Sequence, residues 1–86
     1  MPSVLSWDIQ PGDWHNLLVD GAQPKPGLRY RVKGQRISNG LAHVSVYRGS
    51  QQLSGRQVPA SRLANAIAAD QRRIEAEVLR ALEVKS

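Results

Sequence analysis

Cysteine is absent from this 86-residue chain, which excludes a disulfide framework and any metal site built on thiolates. Long apolar runs are absent too. The longest are three or four residues, against the roughly 20 that a membrane-spanning helix needs. No basic segment followed by an apolar stretch opens the chain, so nothing reads as a secretory signal. A cytoplasmic protein with no membrane contact is the expectation. Chemistry-bearing motifs are equally scarce: there is no glycine-rich phosphate loop, nucleophile elbow or His-Glu helix motif. The two histidines, His15 and His43, stand without the spaced ligands that a metal set requires. A non-enzymatic protein without metal or cofactor is therefore expected.

The absence that says most concerns one charge sign. From Gly21 to Ala69 there is no Asp or Glu, while Lys25, Arg29, Arg31, Lys33, Arg36, Arg48, Arg56 and Arg62 give that stretch +8. Residues 1 to 20 carry Asp8, Asp13 and Asp20 and no base, a net of −3. Residues 70 to 86 hold four acids and four bases, so the chain's +5 belongs entirely to its middle. Nine of the twelve bases are arginine, whose planar fork of donors suits phosphate. A GC-rich genome would also favour arginine over lysine, but it does not account for a long stretch without acid.

Turn signals divide the chain: Pro11-Gly12, Asp20-Gly21, Pro24, Pro26-Gly27, Asn39-Gly40, Gly49-Ser50, Gly55 and Pro59. Ser3 to Ile9 has Leu5, Trp7 and Ile9 at alternate positions and suits a short strand. Residues 14 to 19 are apolar and brief, compatible with a strand or one helical turn. Residues 28 to 33 (LRYRVK) alternate, with Leu28, Tyr30 and Val32 on one face and Arg29, Arg31 and Lys33 on the other. Residues 41 to 48 (LAHVSVYR) oppose Ala42, Val44 and Val46 to His43, Ser45 and Tyr47. Asn39-Gly40 between them signals a hairpin. Matching the apolar faces requires Val32 opposite Val46 and Arg31 opposite Tyr47, hence a three-residue loop with Gly40 left-handed, or a bulge near Gly34. Residues 51 to 58 form a third, weaker strand. The expected fold is therefore α+β: a three-stranded antiparallel meander over 28–58, preceded by an acidic and apolar N-terminal segment over 1–27.

Residues 61 to 84 complete it as a helix, with Ser61 as its cap and Leu63, Ile67, Ile74, Val78 and Leu82 at helical spacing, interrupted by Asp70 and Gln71. Such a helix is roughly 34 Å long, beyond the reach of a small meander. Ile74, Val78, Leu79 and Leu82 are expected to overhang and to be covered by the N-terminal segment or by a second copy, and a homodimer is the expectation. Helix charges at i,i+3 and i,i+4 (Asp70–Arg73, Arg73–Glu77, Glu77–Arg80, Arg80–Glu83) satisfy one another, which makes the helix a packing element and a poor reader of DNA.

The basic face is the candidate site. Arg29, Arg31, Lys33, Arg36, His43, Tyr47 and Arg56 would present cations with a tyrosine among them, the pairing that binds a phosphate backbone and stacks on a base. A cation–π contact between Arg31 and Tyr47 is expected to organise it. Trp7 and Trp14 are read as core plugs. Three strands before a helix, with RYRVKG early, resemble the arm-type DNA-binding domains of phage integrases. LRYRVKGQRI is similar to the central strand of mRNA-cleaving toxins of the RelE kind. Each resemblance covers only part of the chain and carries no diagnostic motif, so neither assigns a family. Nucleic-acid binding, DNA or RNA, is the expected function, in an accessory or regulatory factor of bacterial or phage type. The alternatives are docking on an acidic protein, or assembly through the helix as a host-directed inhibitor would; a small ribonuclease using His43 is the enzymatic one.

Overall fold

The computed structural model describes residues 3 to 84; Lys85, counted above in the C-terminal charge, lies outside them. Five strands follow one another along the chain: β1 (Leu5–Gln10), β2 (Trp14–Val19), β3 (Tyr30–Ser38), β4 (Leu41–Arg48) and β5 (Gln51–Pro59). Each pairs antiparallel with the next, giving one sheet in the order β1-β2-β3-β4-β5. A 3-10 turn (Ala60–Arg62) leads into the helix α1 (Leu63–Val84). The α+β class, the meander and the C-terminal helix are as the sequence implies, but the sheet has five strands where three, with a possible further one from the N-terminal segment, were expected.

The two additional strands come from the N-terminal segment. Gly12 and Asp13 both take positive φ, +86° and +64°, which folds β1 back on β2 with Gln10 opposite Trp14 and Leu5 opposite Val19. Asp20 closes the far end: its carboxylate Oδ1 accepts the Val4 amide at 2.9 Å, and its own amide donates to the Val4 carbonyl at 2.8 Å. β2 then joins β3 through Trp14–Lys33, His15–Val32 and Asn16–Arg31. Six-residue segments carry too little period to settle strand against helical turn, and it is this pairing that makes residues 14 to 19 a strand.

Between β3 and β4 the register puts Val32 opposite Val46 and Arg31 opposite Tyr47, as the apolar faces require. Gly40 is left-handed at φ +76°. The bulge lies between Arg36 and Ser38, close to the turn and away from Gly34. Gly34 serves a different purpose. A Cβ built on it would lie 2.8 Å from Ile67 Cγ1 and 3.2 Å from Leu63 Cδ1, so the bare backbone is what lets the helix approach the sheet.

Leu17, Tyr30, Val32, Val44 and Val46 of the sheet, with Leu28 from the connection before β3, meet Ile74 and Val78 of α1 in the core. Ile74 and Val78 are buried within their own chain, and Leu82 packs against the same cluster. Of the four residues expected to overhang, Leu79 is the exposed one. The cover comes from the N-terminal segment, one of the two expected sources: β1 and β2 widen the sheet, Leu5, Trp7 and Val19 join the cluster, and Trp7 Nε1 donates to Glu75 Oε2 at 2.7 Å. The bare helix stripe that called for a second copy is thereby covered. Ser61 falls within the 3-10 turn and does not cap α1; the Ala60 amide instead ties that turn to the Gly40 carbonyl at 2.9 Å. Asp70 does not interrupt the stripe. It is buried in it, with Arg56 at 3.2 Å and Arg73 as ion partners.

Candidate functional site

The helix covers one face of the sheet, and cross-strand partners share a face, so the register assigns every strand residue to a side. Three rows run across the open face. Asp8, Asn16, Arg31, Tyr47 and Gln52 make the first; Gln10, Trp14, Lys33, Ser45 and Gly55 the second; Gln35, His43 and Gln57 the third. The rows are about 7 Å apart along the strands.

Arg31 lies at the centre. Its Nη2 donates to the Gly49 carbonyl at 2.8 Å, and its guanidinium carbon sits 4.3 Å from the Trp14 ring centroid and 5.6 Å from that of Tyr47. Lys33 Nζ lies 5.2 Å from the Trp14 centroid. The two rings meet edge to face, 5.1 Å between centroids. Two cations therefore rest on an aromatic pair, each contact attracted by the ring quadrupole and worth about 0.5–1 kcal/mol at an exposed site. The cluster holds these side chains in place before anything binds. The Arg31–Tyr47 contact is as expected. Trp14 is not a core plug: it stands on the open face, whereas Trp7 packs inside.

The other sequence-derived positions divide. His43 stands on the open face beside Lys33, Gln35, Ser45, Tyr47 and Gln52, together lining a groove of about 390 Å³. Arg29 precedes β3, with its Nε donating to the Pro24 carbonyl at 2.8 Å, and it borders a second pocket of the open face with Asp8, Asn16 and Arg31. Arg36 and Arg56 are on the wrong side. Arg36 pairs with Ala42 and Arg56 with Val44, both residues of the helix-covered face. Residues 51 to 58 (QQLSGRQV) hold too few apolar positions to declare a face, and a bulge between Val46 and Tyr47 shifts their register. Two acids of α1 also bond to the sheet, Glu77 Oε2 accepting from Tyr30 Oη at 3.4 Å and Glu75 Oε2 from Trp7 Nε1 at 2.7 Å.

Sequence reasoning missed Trp14. Its signal was Pro11-Gly12-Asp13 between two short apolar segments: read as a hairpin, it places Trp14 across from Gln10, in antiphase to Leu5, Trp7 and Ile9. Among the described residues no cluster of His, Asp or Glu could hold a metal ion, and no helix is long and apolar enough to cross a membrane. Compared with protein-family models, with curated proteins and with solved structures, the chain matches none.

Proposed function

We propose that the open sheet face binds nucleic acid and that the protein is a non-enzymatic, accessory nucleic-acid-binding factor. One observation carries this reading: Arg31 and Lys33 are held against Trp14 and Tyr47 on a single face. Cations supply affinity for a phosphate backbone by releasing its counterions, and rings beside them add contacts to bases or sugars. A face meant only for water would mix charge signs, yet β3, β4 and β5 carry no acid at all. Of the acids beside the cluster, Asp8 stands on the edge strand β1 with Gln10 as its partner and Asp13 lies in the β1–β2 turn.

The test is a salt titration of binding to labelled DNA and RNA. With Arg29, Arg31 and Lys33 on phosphates, the slope of log affinity against log salt is about −2 to −3, a loss of roughly 20- to 40-fold between about 50 and 200 mM. Arg31→Ala with Lys33→Ala should bring the slope to about −1 and, as three cation–π contacts are lost, lower stability by about 1–3 kcal/mol with the fold retained by circular dichroism. A double variant that binds like the parent, or a parent that binds polyglutamate as tightly as nucleic acid, overturns the proposal.

A further inference from the structure

We infer that the nucleic acid is single-stranded, with its unpaired bases laid against the sheet over Tyr47, Trp14 and the groove at Ser45. The inference rests on the reading above and narrows its ligand. Shape comes first. The molecule measures 47 × 20 × 19 Å, while the major groove of B-DNA is about 12 Å wide and admits a lone helix or a two-stranded ribbon. The helix lies behind the sheet. The tip of the β3–β4 hairpin is not a free ribbon, because Pro59 pairs with Leu41 and the Ala60 amide is bonded to Gly40. Among the described residues, the two-stranded end of β1 and β2 that runs past β3 carries Asp8 and Asp20 and no Lys or Arg, so it offers a groove no cation.

The rings give the second argument. In a duplex each base is stacked above and below, so its π-faces are covered; an unpaired base offers a face to an aromatic side chain. Tyr47 and Trp14 are half-buried on the face where the cations lie. The third argument is the floor of the groove. Ser45 and Gly55 are opposite each other, the smallest pair in the three rows, with Tyr47 and Gln52 on one side and His43 and Gln57 on the other. His43 and Tyr47 are four residues apart on one strand, about 13 Å, while an aromatic layer is about 3.5 Å thick. The groove of about 390 Å³ along that interval admits a base against Tyr47. His43 and Gln52 wall it by closing over Gly55, where a Cβ would lie 2.8 Å from Gln52 Nε2 and 3.0 Å from His43 Nε2. Lys33 on the rim is placed for the phosphate, and the amides of Gln35 and Gln52 for base edges.

The experiment compares a labelled single-stranded DNA, the RNA of the same sequence and the corresponding duplex at about 100 mM salt. The single strand should bind at least roughly 10-fold more tightly than the duplex, and Tyr47→Leu should remove roughly 10-fold or more of that affinity. Gly55→Val displaces His43 and Gln52 from over position 55 into the groove they line, and should weaken single-strand binding more than duplex binding, with the fold retained by circular dichroism. Preference between the DNA and RNA strands identifies the natural polymer, and either supports the inference. Equal affinity for strand and duplex, or Gly55→Val and Tyr47→Leu both binding like the parent, overturns it while leaving the phosphate-binding reading intact. Failure to bind any nucleic acid overturns both.

Discussion

Gly34 shows how much one residue can decide. Side chains at most sites in a sheet add packing, but here the space a Cβ would need is already filled by Ile67 and Leu63. Gly34→Val is expected to cost about 1–3 kcal/mol through overpacking, with the higher strand propensity of valine recovering only part of it. Urea unfolding measures this, and a variant as stable as the parent would show that the helix can simply lift. At Arg31 the logic is reversed, since its side chain packs against two rings and a carbonyl without being buried. Holding a long, rotamer-rich cation in one geometry before binding lowers the ordering cost of association.

At the scale of elements, β5 and α1 are joined by an ion cluster as well as by apolar contact. Asp70 is 2% exposed and lies between Arg56, from the sheet, and Arg73, one turn along its own helix. Asp70→Ala would leave the Arg56 guanidinium without its buried partner, at a cost of about 1–3 kcal/mol. Asp70→Leu combined with Arg56→Leu should recover most of that loss, because an apolar pair avoids the desolvation of the buried Asp70 carboxylate. Chemical denaturation of the two variants checks this, and an equal loss in both would argue against it. The same elements mark what was legible beforehand. β3, β4 and their register could be read because Leu28, Tyr30 and Val32 alternate with cations and Asn39-Gly40 marks the turn. α1 could be read from its 3.6-residue period. β5 could not be assigned a face, because its register is set by a bulge and by Val58 lying opposite Ala42. Arg56 was misplaced for that reason. Trp14 was misplaced because residues 14 to 19 are apolar on both faces, Leu18 on one side and Leu17 and Val19 on the other.

At the scale of the whole molecule, charge follows the order of strands. Asp8, Asp13 and Asp20 all belong to the β1–β2 hairpin, which contains no base, while β3, β4 and β5 contain bases and no acid. Replacing the three by asparagine should leave the fold intact, since asparagine tolerates the positive φ of positions 13 and 20 and can still accept the Val4 amide. Stopped-flow measurement should then show faster association with a nucleic acid at low salt and a nearly unchanged dissociation rate; a change confined to dissociation would contradict this. A meander keeps neighbours in sequence as neighbours in space, so a segregation of charge along the chain becomes an in-plane electric dipole, negative at the β1 edge and positive at β3 and β4. In the field of a polyanion such a dipole feels a torque. The molecule would turn its basic strands toward the ligand before contact, and the acidic hairpin would bar a strand from crossing the first edge of the sheet.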